Sequence, residues 1–124
     1  MVNPFADQVK FMNACDQSTD GARNEEQYAM YRSLIAEEVI ELNEAVENND
    51  DVEQLDALID IIVVTIGAIH SMGADAEGAW KEVLQTNLAK IDPSTGKVTK
   101  RGDGKVLKPD GWKGPKLVGF LEKY

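Results

Sequence analysis

Apolar residues recur at spacings of three and four through the chain as far as Ala89, the period of helices with one buried face. Phe5, Val9 and Met12 form a short stripe behind Asn3-Pro4, a pair suited to open a helix with asparagine as cap and proline in the first position. The polar stretch DQSTDGARN (16–24) is a loop. Tyr28, Tyr31, Leu34, Ile35, Val39, Leu42 and Val46 then predict a long helix from about Glu25 to Glu47, ended by Asn48, Asn49, Asp50 and Asp51. The acids of that break also suit the N-terminus of a following helix. From about Val52 to Met72 the local signal is divided. IIVVTI (61–66) is β-branched enough for a buried strand, but the pattern extends back through Val52, Leu55, Leu58 and Ile59, too long for a strand, and Gly73 ends it as a helix would end. Asp75 caps a fourth helix, about Ala76 to Ala89, with Ala79, Trp80, Val83, Leu84 and Leu88 along it. Beyond Asp92-Pro93 the character changes. GKVTKRGDGKVLK (96–108) reads as two short strands around a Gly-Asp-Gly turn, and PDGWKGPKLVGFLEKY (109–124) as an irregular arm with a small apolar end.

The predicted architecture is therefore all-α, four helices in a single domain over residues 1–124, divided into a helical core (1–91) and a C-terminal arm (92–124). A core of this size is small, and oligomerisation is a natural supplement. Cys15 is the only cysteine, so no disulfide framework exists and a reducing, cytoplasmic setting is expected. The N-terminus lacks a signal-peptide pattern, and the longest apolar run, interrupted by Asp60, is too short to cross a bilayer.

Net charge is −9, which argues against nucleic acid as a partner, as the short apolar run does against a membrane. Its distribution is uneven. Residues 1–89 carry 4 basic against 18 acidic residues, and residues 90–124 carry 9 against 4. A basic arm that neutralises its own acidic body accounts for this. So does a body that binds cations and an arm that binds anions.

The acidic residues are grouped. Glu37, Glu38 and Glu41 share one helix face, and Asp56 and Asp60 share a face of the next helix, with Glu53 one turn before Asp56. Two helices folded back through the Asn48–Asp51 connection bring both stripes to one height. An EExxE triplet by itself is usually a solvated face, Glu53 alone reads as surface, and Asp60 has Arg32 or Lys81 as possible ion-pair partners. The combination points elsewhere. Asp60 sits inside an apolar run with no cation near it in sequence, and a divalent ion held by oxygen ligands supplies the missing positive charge. One histidine, His70, and one cysteine exclude an ordinary zinc site, and His70 reads as a helix-end residue. GDGK (102–105) lacks the spacing of a phosphate loop, and Lys97 stands where a calcium loop beginning at Asp92 needs glycine. Trp80 is expected in the core.

EEVIE (37–41) followed by the acidic DALID (56–60) resembles the all-α nucleoside triphosphate pyrophosphatases: MazG-like proteins, dimeric dUTPases and phosphoribosyl-ATP pyrophosphatase. The likeness runs from about Tyr31 to Pro115, through YRSLIAEE, GADAEGAWKEVLQTNLAKID and GKVTKRGDGKVLKPDGW. It implies a four-helix MazG-like protomer with a short irregular or β-hairpin arm, assembled as a homodimer or homotetramer with the nucleotide site completed across an interface. It implies Mg²⁺, with Mn²⁺ as substitute, held by Glu37, Glu38, Glu41 and Asp60, and Glu38 or Glu41 as the base. In the family the second acidic motif is commonly Glu-x-x-Asp; here Ala57 stands three before Asp60, so Asp56 is the nearer acid and is preferred to Glu53 as a ligand. Asn87 and Lys90 match the family's Asn-x-x-Lys, whose amide and ammonium suit phosphate oxygens; without the family they read as an ordinary helix C-terminus. Lys105 and Lys108 are further candidates for the triphosphate, ahead of Lys100 and Arg101. Trp112 either stacks on a base or pins the arm. The activity implied is hydrolysis of a nucleoside triphosphate to the monophosphate and pyrophosphate. Phosphoribosyl-ATP is the alternative substrate, and an acidic helical interaction module without catalysis is the alternative class.

Overall fold

The structure, a computed structural model, describes residues 1–121; the last residues of the predicted apolar end, 122–124, lie outside them. Four helices occupy the predicted places: α1 (Pro4–Ala14), α2 (Glu25–Glu47), α3 (Asp51–Ser71) and α4 (Ala76–Leu88). Each begins at an Asn or Asp whose side chain accepts a backbone N–H three residues on: Asn3 from Ala6, Asn24 from Gln27, Asp50 from Glu53 and Asp75 from Gly78, at 3.0–3.2 Å. Each cap thus satisfies one of the donors a helix start leaves open.

α2 and α3 fold back on each other as the main packed pair of the chain, α1 lies against α3, and the arm lies against α4. The α2–α3 turn is tight. Asn49 takes a positive φ of 53°, and the Asp50 N–H reaches the Ala45 carbonyl at 3.0 Å. The core centres on Met12, Tyr31 and Ala68, with Tyr28, Leu34, Ile35 and Val64 around them. Gly67 permits it: a Cβ there would stand 2.3 Å from the Tyr31 ring. A buried amide ties the loop before α2 to the end of α3. Gln27 Nε2 donates to Ser71 Oγ and to the Ser18 carbonyl, both at 2.9 Å, while Gln27 Oε1 accepts the Ser18 N–H at 2.8 Å.

Two expectations need correction. The hairpin forms one step earlier than predicted: β1 (Ile91–Asp92) pairs antiparallel with β2 (Lys97–Val98), and the Gly-Asp-Gly turn is flanked only by a single bridge, Lys100 to Val106. Asp92 decides this. Its carboxylate accepts from the Ser94 N–H and hydroxyl at 2.8 and 2.7 Å, and Gly96 supplies the positive φ that closes the turn. Secondly, Trp80 is 61 % exposed, packing on one side toward Phe5; α4 packs only lightly on α3 and on the arm, too little to enclose an indole. Val52, Leu55, Ile59 and Ile62 on α3 are all at least half exposed, as is Ile40 on α2, so among the described residues a single chain leaves the apolar stripe of α3 largely uncovered.

Candidate active site

Caps and turn together fix the height of the acidic groups. Glu38 and Glu41 lie one turn apart on α2; Asp56 and Asp60 lie one turn apart on α3. Glu38 is half-buried, and its Oε2 is shielded from solvent with no hydrogen-bond partner. Burial pushes its carboxyl above the ordinary range, reinforced by a carboxyl–carboxyl contact with Glu41 and by the charges of Glu41, Asp60 and Asp56. Asp60 is raised likewise, by burial first and then by Asp56 and Glu41. The fold therefore brings Glu38, Glu41, Asp56 and Asp60 into one electrostatic cluster. Asp60 is half-buried rather than enclosed, and the orphaned oxygen belongs to Glu38, a residue the apolar-run argument did not single out. Glu37 is exposed, and Glu53 is exposed in the first turn of α3.

Neither Arg32 nor Lys81 pairs with Asp60; the ion pairs among the described residues are Arg23–Glu25 and Arg101–Asp103. Nor, among the described residues, do three carboxylate, thiol or imidazole groups stand arranged as a finished coordination sphere. The donor set nonetheless fits a divalent cation. It consists of hard carboxylate oxygens, one of them buried without a partner, and Glu38 and Asp60 are raised above the ordinary carboxyl range by burial and then by the neighbouring charges.

The basic candidates gather elsewhere. Lys90, Lys108, Trp112 and Lys113 line a cavity of about 900 Å³ beyond the end of α4, with Thr86 and Thr99. Lys90 Nζ donates to Asn87 Oδ1 at 3.2 Å, so the Asn-x-x-Lys pair acts as a unit. Trp112 pins the arm: its indole N–H donates to the Thr86 carbonyl at 2.7 Å. Lys105 is exposed and outside this cavity, and Arg101 is engaged by Asp103, whose carboxyl it holds below the ordinary range. Lys113 was not among the predicted residues; its neighbourhood to Trp112 in sequence was the available signal. None of the clustered carboxylates lines the cavity, so the described part of one chain does not join the acidic and basic halves in a single pocket.

An all-α chain that presents carboxylates from two folded-back helices at one height, and amide and lysine donors at the end of the next, has the make-up of an all-α nucleotide pyrophosphatase. The sequence model of the phosphoribosyl-ATP pyrophosphohydrolase family matches residues 10–87, more than half the chain. The protein belongs to that family, within the MazG-like all-α nucleoside triphosphate pyrophosphatase superfamily. No curated protein matches the chain. The family makes it a pyrophosphohydrolase acting on a nucleotide. The matched segment holds every acidic candidate and Asn87; Lys90 and the arm lie beyond it. Among the described residues no single helix is long and apolar enough to cross a membrane.

Proposed function

We propose that the protein is a divalent-metal-dependent hydrolase that converts a nucleoside or deoxynucleoside triphosphate to its monophosphate and pyrophosphate. The observation that carries this reading is the orphaned Glu38 oxygen within a cluster of four carboxylates, on a chain whose basic groups gather around a separate cavity. Glu38, Glu41, Asp56 and Asp60 would hold Mg²⁺ or Mn²⁺, with Glu37 at the exposed edge. The ion, when bound, supplies positive charge to phosphate oxygens and acidifies water. The remaining work belongs to side chains. Glu38 takes the proton of the attacking water, with Glu41 beside it on the same helix face as the alternative acceptor. Water oxygen bonds to phosphorus as the α–β bridging bond breaks. Asn87, Lys90 and Lys108 then offset the charge on the departing pyrophosphate, with Lys105 a more distant contributor.

The exposed apolar stripe supports an assembly. A second copy laid on Val52, Leu55, Ile59 and Ile62 would cover it, as a homodimer or homotetramer, and a joined site requires one chain's basic cavity to meet another's carboxylates. Phosphoribosyl-ATP is the second reading, favoured by the description of the matching family.

The deciding experiment is a panel of canonical and modified nucleoside triphosphates together with phosphoribosyl-ATP, with Mg²⁺ or Mn²⁺, scored for monophosphate and pyrophosphate. Pyrophosphate release from a triphosphate, abolished by EDTA, is expected. Release from phosphoribosyl-ATP alone selects the second reading. No release from any substrate leaves the acidic interaction module.

A further inference from the structure

We propose that Trp112 is a positioning residue, whose indole holds Lys90 and Lys108 together as a pair of unneutralised ammonium groups for a polyphosphate. The inference rests on the pyrophosphohydrolase reading for the identity of the anion.

The arm is fastened along α4 in reverse order. Trp112 donates to the Thr86 carbonyl, the Lys116 N–H to Glu82 Oε2 at 2.8 Å, and the Asp75 N–H to the Phe120 carbonyl at 2.9 Å. Gly78 makes room at the far end, since a Cβ there would lie 2.7 Å from the Phe120 ring. The Thr86 carbonyl is available because the Lys90 N–H turns to Asn87 instead, at 3.1 Å, as the helix ends. With the indole anchored there, Lys90 Nζ lies 5.0 Å and Lys108 Nζ 5.1 Å from its ring centroid. Lys90 comes from the end of α4 and Lys108 from the arm; the ring is what they share.

The choice of an aromatic holder has a chemical consequence. A carboxylate would hold two lysines equally well, but it would cancel their charge and compete with phosphate. A ring quadrupole attracts ammonium groups and leaves their charge in place. Neither lysine forms an ion pair among the described residues. Of the three acids lining the cavity, Glu82 accepts the Lys116 N–H and Asp92 is occupied by Ser94, which leaves Asp110.

The test is calorimetric titration of the full-length protein with inorganic tripolyphosphate in EDTA, where the acidic cluster gives no help. Trp112→Leu is expected to weaken binding about tenfold, the cost of ordering two lysine side chains that the ring no longer holds, and Trp112→Phe to restore most of it. With a hydrolysed triphosphate, Trp112→Leu both raises KM and lowers kcat, because the two lysines meet more charge on the departing pyrophosphate than on the bound triphosphate. In a Trp80→Phe background, the Trp112 emission should shift when tripolyphosphate binds the ammonium groups held at the ring, a readout that needs no change at Trp112. The proposal is overturned if Trp112→Leu binds like the wild type, if Trp112→Phe falls as far as Trp112→Leu, if a Lys90→Met/Lys108→Met double variant binds undiminished, or if the emission stays fixed. A protein that shows the expected pattern but releases pyrophosphate from no nucleotide rejects the enzymatic reading while upholding the role of the ring.

Discussion

Glu38 is where sequence and geometry diverge most usefully. In the linear pattern it is one of three equivalent glutamates; in the fold it alone has an oxygen shut away from water and from any donor. Such a group destabilises its own ionised form. Replacing it with the neutral isostere removes a like charge, so Glu38→Gln is expected to raise the metal-free melting temperature by about 2–5 °C. The same variant should lose most of the rise in melting temperature that Mg²⁺ gives the wild type, as should Asp60→Asn. Differential scanning fluorimetry with and without Mg²⁺ checks both, and an unchanged Mg²⁺ effect in either variant removes that residue from the ligand set. The pH dependence has a definite sign. Because the fold raises Glu38 above its unfolded value, its contribution to stability is complete below that value and is lost as pH rises through the raised one. The metal-free wild type should therefore fall behind Glu38→Gln as pH increases across this window, with the gap closing at the acid end.

At the scale of elements, the α2–α3 hairpin does the positioning. Its turn is set by Asn49 in the left-handed region and by Asp50, which both caps α3 and returns its N–H to Ala45. A shift of one residue in this connection would rotate Asp56 and Asp60 by about 100° away from Glu38 and Glu41. Asp50→Ala should cost about 1 kcal/mol in urea unfolding, with helical content retained. A loss too small to measure would mean that helix packing alone sets the register. Asn3 and Asp75 were legible as caps in the sequence, each standing just before a periodic run; Asn24 read as loop and Asp50 as part of an acidic break, and the structure makes caps of both. The hairpin of the arm was placed one step late because Gly-Asp-Gly is a louder turn signal than Asp-Pro-Ser-Thr-Gly, although the latter brings its own side-chain hydrogen bonds.

At the scale of the molecule, the chain has more apolar helix face than it can cover. Val52 is 77 % exposed, Leu55 62 % and Ile59 51 %, and they follow one another along a single face of α3. Burying each such side chain fully contributes about 1.5–3 kcal/mol, enough for a few of them to hold two copies together. Light scattering should give a multiple of the chain mass at micromolar concentration, and a Leu55→Asp/Ile59→Asp variant should be monomeric and less stable. A monomeric wild type would leave the acidic and basic halves of the site without a means of meeting.

The sequence by itself determined the helices, two of their caps, the two acidic stripes and the basic arm, because each depends on residues near one another in the chain: a period, a cap, a like-charge spacing, a local excess of lysine. Only the tertiary structure decided which glutamate loses its solvent, which face of α3 goes uncovered, and that Trp112 binds Thr86 with two lysines gathered at its ring. Those depend on residues distant in sequence meeting across packed surfaces, where burial and charge act through space and leave no local trace.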